Sequence, residues 1–168
     1  NLDLSKKSEE VGINLYDQHW KIYTRSEDLA PVRIGVTGSV LNSLICDGCK
    51  IEGRVENSVL GPGVTVRKGC TVKNSIIFTG TYIDENTNLD TMIIDKKVYV
   101  GKNCVLGHGD DFTPNKDKPD LLARGISVIG KSAVIPDGSI VGRNVRIFTN
   151  VKLHDDNKFV QSGETIKK

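Results

Sequence analysis

Four cysteines and three histidines carry most of the chemistry open to this chain. Cys46 and Cys49 stand in a CDGC, the spacing of half a thiolate metal site. Zinc needs four convergent ligands, with sulfur about 2.3 Å away, so one pair does not make a site. Cys49, Cys70 and Cys104 fall where sister segments carry Val, Ile or Thr. That placement makes them small core residues, free thiols suited to a reducing, cytoplasmic setting. Cys70 and Cys104 should share a face with Thr87 between them, roughly 9–10 Å apart from two steps of sheet spacing, too far for a disulfide. Among the histidines, His108 opens a long irregular stretch and is the one placed to act as a general base, deprotonating an acceptor hydroxyl or amine. Its competing use is a hydrogen bond that anchors the loop. His19 and His154 read as surface residues.

What must position these side chains is a repeat. VLNSLI from Val40, VENSVL from Val55, VKNSII from Val72 and LDTMII from Leu89 are near copies of one phrase, 15, 17 and 17 residues apart. Inside each period aliphatic residues recur in steps of six, six and five: Leu60, Val66, Val72, then Ile77, Ile83, Leu89, then Ile94, Val100, Leu106. A second small or apolar residue follows each by four. Gly, Asp, Asn, Lys and Pro fill the corners, where tight turns and positive φ are needed. No amphipathic helix keeps a six-residue period, and no hairpin alternation survives so many corners. Short strands turning every six residues, three to a coil, fit: an all-β, left-handed parallel β-helix of the hexapeptide-repeat kind. One coil cannot bury its own apolar face, whereas stacked coils enclose a continuous core. Asn42, Asn57 and Asn74 should stack at one corner, where Asn tolerates the left-handed conformation.

The fifth copy fails. After Leu106 comes GHGDDFTPNKDKPDLLARG, with two prolines and no period, and the hexad resumes at Ile129, Ile135, Val141 and Ile147. A long loop leaving one corner and returning to the same stack is the economical reading, and such loops are functional, mobile or tolerated insertions. His108 falls at the corner that Asn42, Asn57 and Asn74 hold in earlier coils. The expected organisation is a linker over 1–37, a β-helix over 38–150 with an insertion at 107–128, and a C-terminal tail over 151–168.

With 168 residues the chain suffices for one domain. Interspersed charge netting +2 gives no case for nucleic acid or membrane as partner. No apolar run approaches a membrane span and no signal peptide is evident. The chain opens on Asn1 rather than Met, in keeping with a piece of a longer protein. The first 37 residues lack the hexad and hold Trp20 and two of the four tyrosines. A short helix end near Ser8–Glu10 and a Pro31 entry to the solenoid are the features legible there.

NLDL at Asn1–Leu4 with NLYDQHWKIYT at Asn14–Thr24 resembles the junction between the two domains of glucose-1-phosphate adenylyltransferases, the ADP-glucose pyrophosphorylases of glycogen and starch synthesis. TGSVLNSLICDGCKIEGRVENSVLGPGVTVRKGCTVKNSII looks like that family's β-helix almost phrase for phrase, and MIIDKKVYVG at Met92–Gly101 resembles its IIDKN-type segment. The likeness runs to about Phe148. Single hexads are shared with trimeric acyltransferases that use a His as base. A stand-alone acyltransferase, with His108 facing a thioester from a neighbouring subunit, is therefore the rival reading, and a purely structural β-helix the third.

The resemblance implies that catalysis belongs to an N-terminal nucleotidyltransferase domain, where the sugar phosphate attacks the α-phosphorus of ATP and Mg²⁺ is expected. Phosphate-loop, metal and sugar-binding elements of that type have no counterpart here. The chain itself should be inactive in ADP-glucose synthesis, with no catalytic residue, cofactor or metal of its own. Its implied roles are assembly into homo- or hetero-oligomers, contact with its own catalytic domain, and a share of an effector site. In plant members the Lys of the IIDKN segment belongs to a site for phosphorylated or anionic effectors, and Lys96 corresponds to it. Lys97 stands where that pattern has Asn and would strengthen or retune an anion site.

Overall fold

The computed structural model describes residues 3, 12, 14, 15, 17–21 and 27–167. Most of the 1–26 segment, including much of the NLDL and NLYDQHWKIYT phrases and Ser8–Glu10, lies outside the described residues.

From Arg33 onward the chain winds through strands of two or three residues, all paired in parallel. They form three sheets, here A, B and C, of six, seven and seven strands. Each sheet takes every third strand in order until the last coil, so successive coils stack without crossover. Among the described residues there are seven coils, and the seventh adds to sheet A only a bridge between Val134 and Lys152. This is the triangular solenoid of the left-handed β-helix class.

The hexad aliphatics point inward and lie in register: Val55 against Val72, Leu60 against Ile77, Ile51 against Val66. All six are sealed from solvent. Removing such apolar area from water is worth about 25 cal/mol per Å². The small residues four positions on fill the inner corners, and where they are polar they bond to the adjacent coil. The Cys49, Cys70 and Cys104 thiols donate to the carbonyls of Gly61, Asp84 and Pro136 at 3.2, 2.8 and 3.2 Å. Thr81 and Thr87 hydroxyls donate to Asp95 and Gly101 carbonyls at 2.9 and 2.7 Å. The buried polar side chains of these inner corners are thereby satisfied.

Asn42, Asn57 and Asn74 stack at the B-to-C corner with φ of 44°, 45° and 48°. The Asn42 amide donates to Asn57 at 2.8 Å, and Asn74 donates to Asp90 at 3.0 Å. The serines that follow form a second ladder. Each backbone N–H of Ser58, Ser75 and Met92 donates to the serine hydroxyl one coil earlier, at 3.0, 3.1 and 3.1 Å. The Asn-Ser phrase is thus a two-part corner: one residue takes the left-handed turn and the next ties coil to coil.

Three boundaries differ from expectation. The solenoid begins at Arg33–Ile34, which pair with Lys50–Ile51, not at residue 38. The first coil is disguised because it has core on one side alone, leaving Ile34 53% exposed. The insertion ends at 126, since Ser127–Ile129 pair with Met92–Ile94. The stretch 151–168 holds a coil and is not a tail: Phe159–Val160 pair with Ile140–Val141, and Thr165–Ile166 with Arg146–Ile147. Its rhythm is broken by the exposed turn around His154–Asn157, which separates the buried Val151 and Leu153 from Val160.

Candidate functional site

At the root of the insertion the corner shifts by one residue. Gly107 takes φ of +77°, and a Cβ there would collide with the Asp90 carbonyl oxygen. In earlier coils the corner N–H reaches back, as Asn74 N donates to Glu56 O and Thr91 N to Lys73 O. His108 N instead donates forward to Val141 O at 2.9 Å. His108 therefore does not hold the Asn corner: glycine alone fits where the chain leaves the stack, and the histidine is carried outward and exposed.

His108 does not anchor the loop either. Its side chain makes no hydrogen bond among the described residues. It lines an open hollow of about 330 Å³ with Asp110, Asp111, Gln161 and Ser162. Asp111 is already occupied by the N–H and hydroxyl of Thr113, at 2.9 and 2.6 Å. A hydrogen bond at the second ring nitrogen sets the tautomer of a histidine base, and none of the described carboxylates supplies one to His108.

The insertion is pinned by residues with no chemical signature in the sequence. Arg143 donates to the Gly109 carbonyl at 2.6 Å and to the Asp90 carboxylate at 2.8 Å, and lies 5.5 Å from the Phe112 ring centre. Asn144, wholly buried, accepts from Gly125 N at 2.7 Å and donates to the carbonyls of Phe112 and Thr113. Asn115, also wholly buried, donates to the carbonyls of Asn144 and Glu164, and accepts from Asp117 N, Lys118 N and the Thr165 hydroxyl. The loop is a strap folded down over the sixth and seventh coils. Burial opposes ionisation of Asp90, but hydrogen bonds from Arg143, Asn74 and Thr91 outweigh it and hold the carboxyl below its ordinary value.

Lys96 and Lys97 sit at the C-to-A corner of the fourth coil, both exposed. Lys97 takes the left-handed conformation, φ 57°. Corner hydrogen bonds place Lys131 next in the column, because Ser132 N donates to Lys96 O and Asn150 N to Lys131 O. One coil step is about 4.8 Å, so Lys96 and Lys131 are neighbours in the column. Among the described residues none of the three lysines is ion-paired. Lys131 was findable: Ile94-Asp95-Lys96-Lys97 and Ile129-Gly130-Lys131-Ser132 are the same corner once the insertion is counted out. The opposite A-to-B edge is self-neutralised. There Arg67 meets Glu52 at 3.0 Å and Glu85 at 3.5 Å, and Lys102 meets Glu85 at 3.1 Å.

Cys49, Cys70 and Cys104 are buried free thiols and Cys46 is an exposed one. Burial raises the Cys70 thiol to about 11. No cluster of three or more His, Cys, Asp or Glu fit to hold a metal exists among the described residues. His19 and His154 are exposed.

Residues 30–129 match the family model described as GlmU-like, C-terminal hexapeptide. A glucose-1-phosphate adenylyltransferase of Acetivibrio thermocellus is 40% identical over 98% of this chain, which covers 40% of that protein. One from Thermomicrobium roseum is 44% identical over 94% of the chain and 37% of its own length. One from Fervidobacterium nodosum is 35% identical over 89% and 36%. The chain thus spans about two fifths of the length of the curated relatives it matches. With its hexapeptide coils described from Arg33 onward and its family model matched over residues 30–129, the chain belongs to the GlmU-like C-terminal hexapeptide family.

Proposed function

We propose that this chain is the assembly and regulatory portion of a glucose-1-phosphate adenylyltransferase. The parent reaction, ATP plus glucose 1-phosphate to ADP-glucose plus pyrophosphate in glycogen or starch synthesis, belongs to a nucleotidyltransferase domain outside these residues, and so does its Mg²⁺. The observation that carries this is the likeness along almost the whole chain to two fifths of proteins so named. The solenoid's core is filled with aliphatic side chains, which leaves it no interior cleft for nucleotide chemistry and suits it to presenting faces and corners. A cytoplasmic location accords with its buried unpaired thiols.

The effector site of this reading is the corner of Lys96, Lys97 and Lys131. Cations one coil apart, with no carboxylate partner, suit a phosphorylated or otherwise anionic effector lodged between the solenoid and its catalytic domain. Two measurements test the reading. The reading frame upstream of Asn1 is expected to continue for about 250 residues, one catalytic domain by size; a start codon just before Asn1 would overturn it. In the full-length enzyme, Lys96→Ala and Lys131→Ala should weaken activation by a phosphorylated effector and leave the unstimulated rate intact. An unchanged effector response would remove the site.

The rival reading, an acyltransferase based on His108, is disfavoured by the exposed ring without an orienting partner. Acetyl transfer from acetyl-CoA by the purified chain, abolished in His108→Ala, would restore it.

A further inference from the structure

The outer face of sheet A carries a row whose character changes along the solenoid. In register it runs Arg33, Lys50, Thr65, Tyr82, Tyr99 and Val134. Tyr82 and Tyr99 stack, with ring centres 5.7 Å apart and planes within 7° of parallel. The Tyr99 hydroxyl donates to one Asp84 oxygen at 3.0 Å, and the other oxygen accepts from Glu85 N at 2.8 Å. The stack is thereby tied back to the coil before it.

Tyr99 covers one face of the Tyr82 ring. The other face is turned toward Thr65, the shortest side chain between Arg33 and Tyr99. The next step of the aromatic ladder is therefore vacant. One coil step is about 4.8 Å and paired rings sit about 4.5–7 Å apart, so a planar ring over Thr65 would extend the stack. Among the described residues the Thr65 and Tyr82 hydroxyls have no hydrogen-bond partner, so both can meet the polar edge of such a ring.

Beyond the vacant step the row turns basic. Lys50 lies one coil further and Arg33 two, both exposed. Beside them, at the A-to-B edge, a hollow of about 400 Å³ is lined by Arg33, Lys50, Arg67, Lys68, Glu52 and Glu85. Arg67 already engages both glutamates, at 3.0 and 3.5 Å. Arg33, Lys50 and Lys68 have no ion-pair partner among the described residues. An aromatic platform beside a positive groove is the arrangement that holds bases by stacking and their phosphates by charge.

We propose that this face binds a nucleoside phosphate, its base stacked on Tyr82 over Thr65 and its phosphate held by Lys50 and Arg33. The order of the row sets the polarity, ring toward the fourth coil and anion toward the first. The Arg33 fork matches phosphate oxygens in pairs, and Lys50 adds a point charge. The Lys96, Lys97 and Lys131 corner lies elsewhere, on the C-to-A rim of the fourth and fifth coils, so this site does not depend on the effector reading above.

Isothermal titration calorimetry of the 168-residue chain with AMP, adenosine and ribose 5-phosphate tests it, with circular dichroism as the folding control. AMP is expected to bind, and ribose 5-phosphate to bind roughly tenfold more weakly for want of a base. Tyr82→Ala should weaken AMP by about tenfold, the loss of one base stack. Lys50→Ala should weaken AMP and leave adenosine unchanged. Thr65→Tyr fills the vacant step with the protein's own ring and should abolish binding in a folded chain, which decides the question if Tyr82→Ala does not fold. Lys96→Ala should leave the affinity intact. No binding of AMP at millimolar concentration overturns the proposal. Ribose 5-phosphate binding as tightly as AMP would reduce the row to an anion patch and overturn it too. Binding that survives Thr65→Tyr, or that is lost in Lys96→Ala, puts the nucleotide elsewhere and removes this site.

Discussion

Arg143 grips Asp90 across the mouth of the insertion, guanidinium to carboxylate at 2.8 Å, joining residues 53 apart in the chain. The arginine is 13% exposed in its side chain and the aspartate 39%. The same guanidinium holds the Gly109 carbonyl and faces Phe112, so a single side chain fixes where the strap begins.

Arg143→Met keeps the stem and removes these bonds. Its expected cost is about 2 kcal/mol, the range for hydrogen bonds to charged groups. The local readout is trypsin cleavage after Lys116 or Arg124, which should quicken in the variant before global unfolding does. Equal rates of cleavage would mean that Asn115 and Asn144 hold the strap without the arginine.

Acid should act through the same pair. The Asp90 carboxyl titrates below its ordinary value when folded, against about 3.9 for an unperturbed Asp. Its contribution is whole above about pH 4 and fades as pH falls through the depressed folded value. Urea midpoints followed from pH 6 to 3 are expected to fall more for the wild type than for Asp90→Asn. Parallel curves would refute the assignment.

Asn57→Ala places a Cβ-bearing residue without a polar side chain at φ 45°, a conformation costing L-residues roughly 1–2 kcal/mol. It also removes the bond from Asn42. Asn57→Gly removes that bond but tolerates the angle. The alanine variant should therefore melt below the glycine variant; the reverse order would show that the left-handed corner carries no such cost for a Cβ-bearing residue.

Thiol chemistry should distinguish Cys46 from the rest. One thiol per chain is expected to react with a maleimide in the native state and four after denaturation, following the exposure pattern. Native reaction of Cys70, whose thiol burial raises to about 11, would mean that the third coil opens.

The coil rhythm was legible because stacking repeats one physical demand every six residues. An inward aliphatic such as Leu60 and a left-handed corner such as Asn57 recur wherever a coil closes. The Asn-Ser phrase even encoded both parts of the corner. Legibility failed where that demand lapses: at Ile34, with core on one side alone, and around His154–Asn157, where a polar turn hides the seventh coil. The strap was unreadable for another reason. Asn115, Arg143 and Asn144 work by reaching backbone groups far along the chain, and those partners leave no local pattern. His108 drew notice as the one histidine at the break, whereas Gly107, one residue earlier, makes the break possible. The lysine corner was half legible: Lys96 and Lys97 stood out, while Lys131 required counting past the insertion.

Solenoids unfold by fraying, because each coil touches its neighbours alone and stability is close to a sum over repeats. The Asn115 side chain changes that at this end. Two of its five hydrogen bonds run to Glu164 and Thr165 in the last coil, and a third to Asn144 in the sixth. Peeling away the final coil therefore strands a buried amide inside a loop rooted at Leu106. The last three coils are stitched into one cooperative block, so a deletion after Asn157 would loosen the chain as far back as the insertion's root.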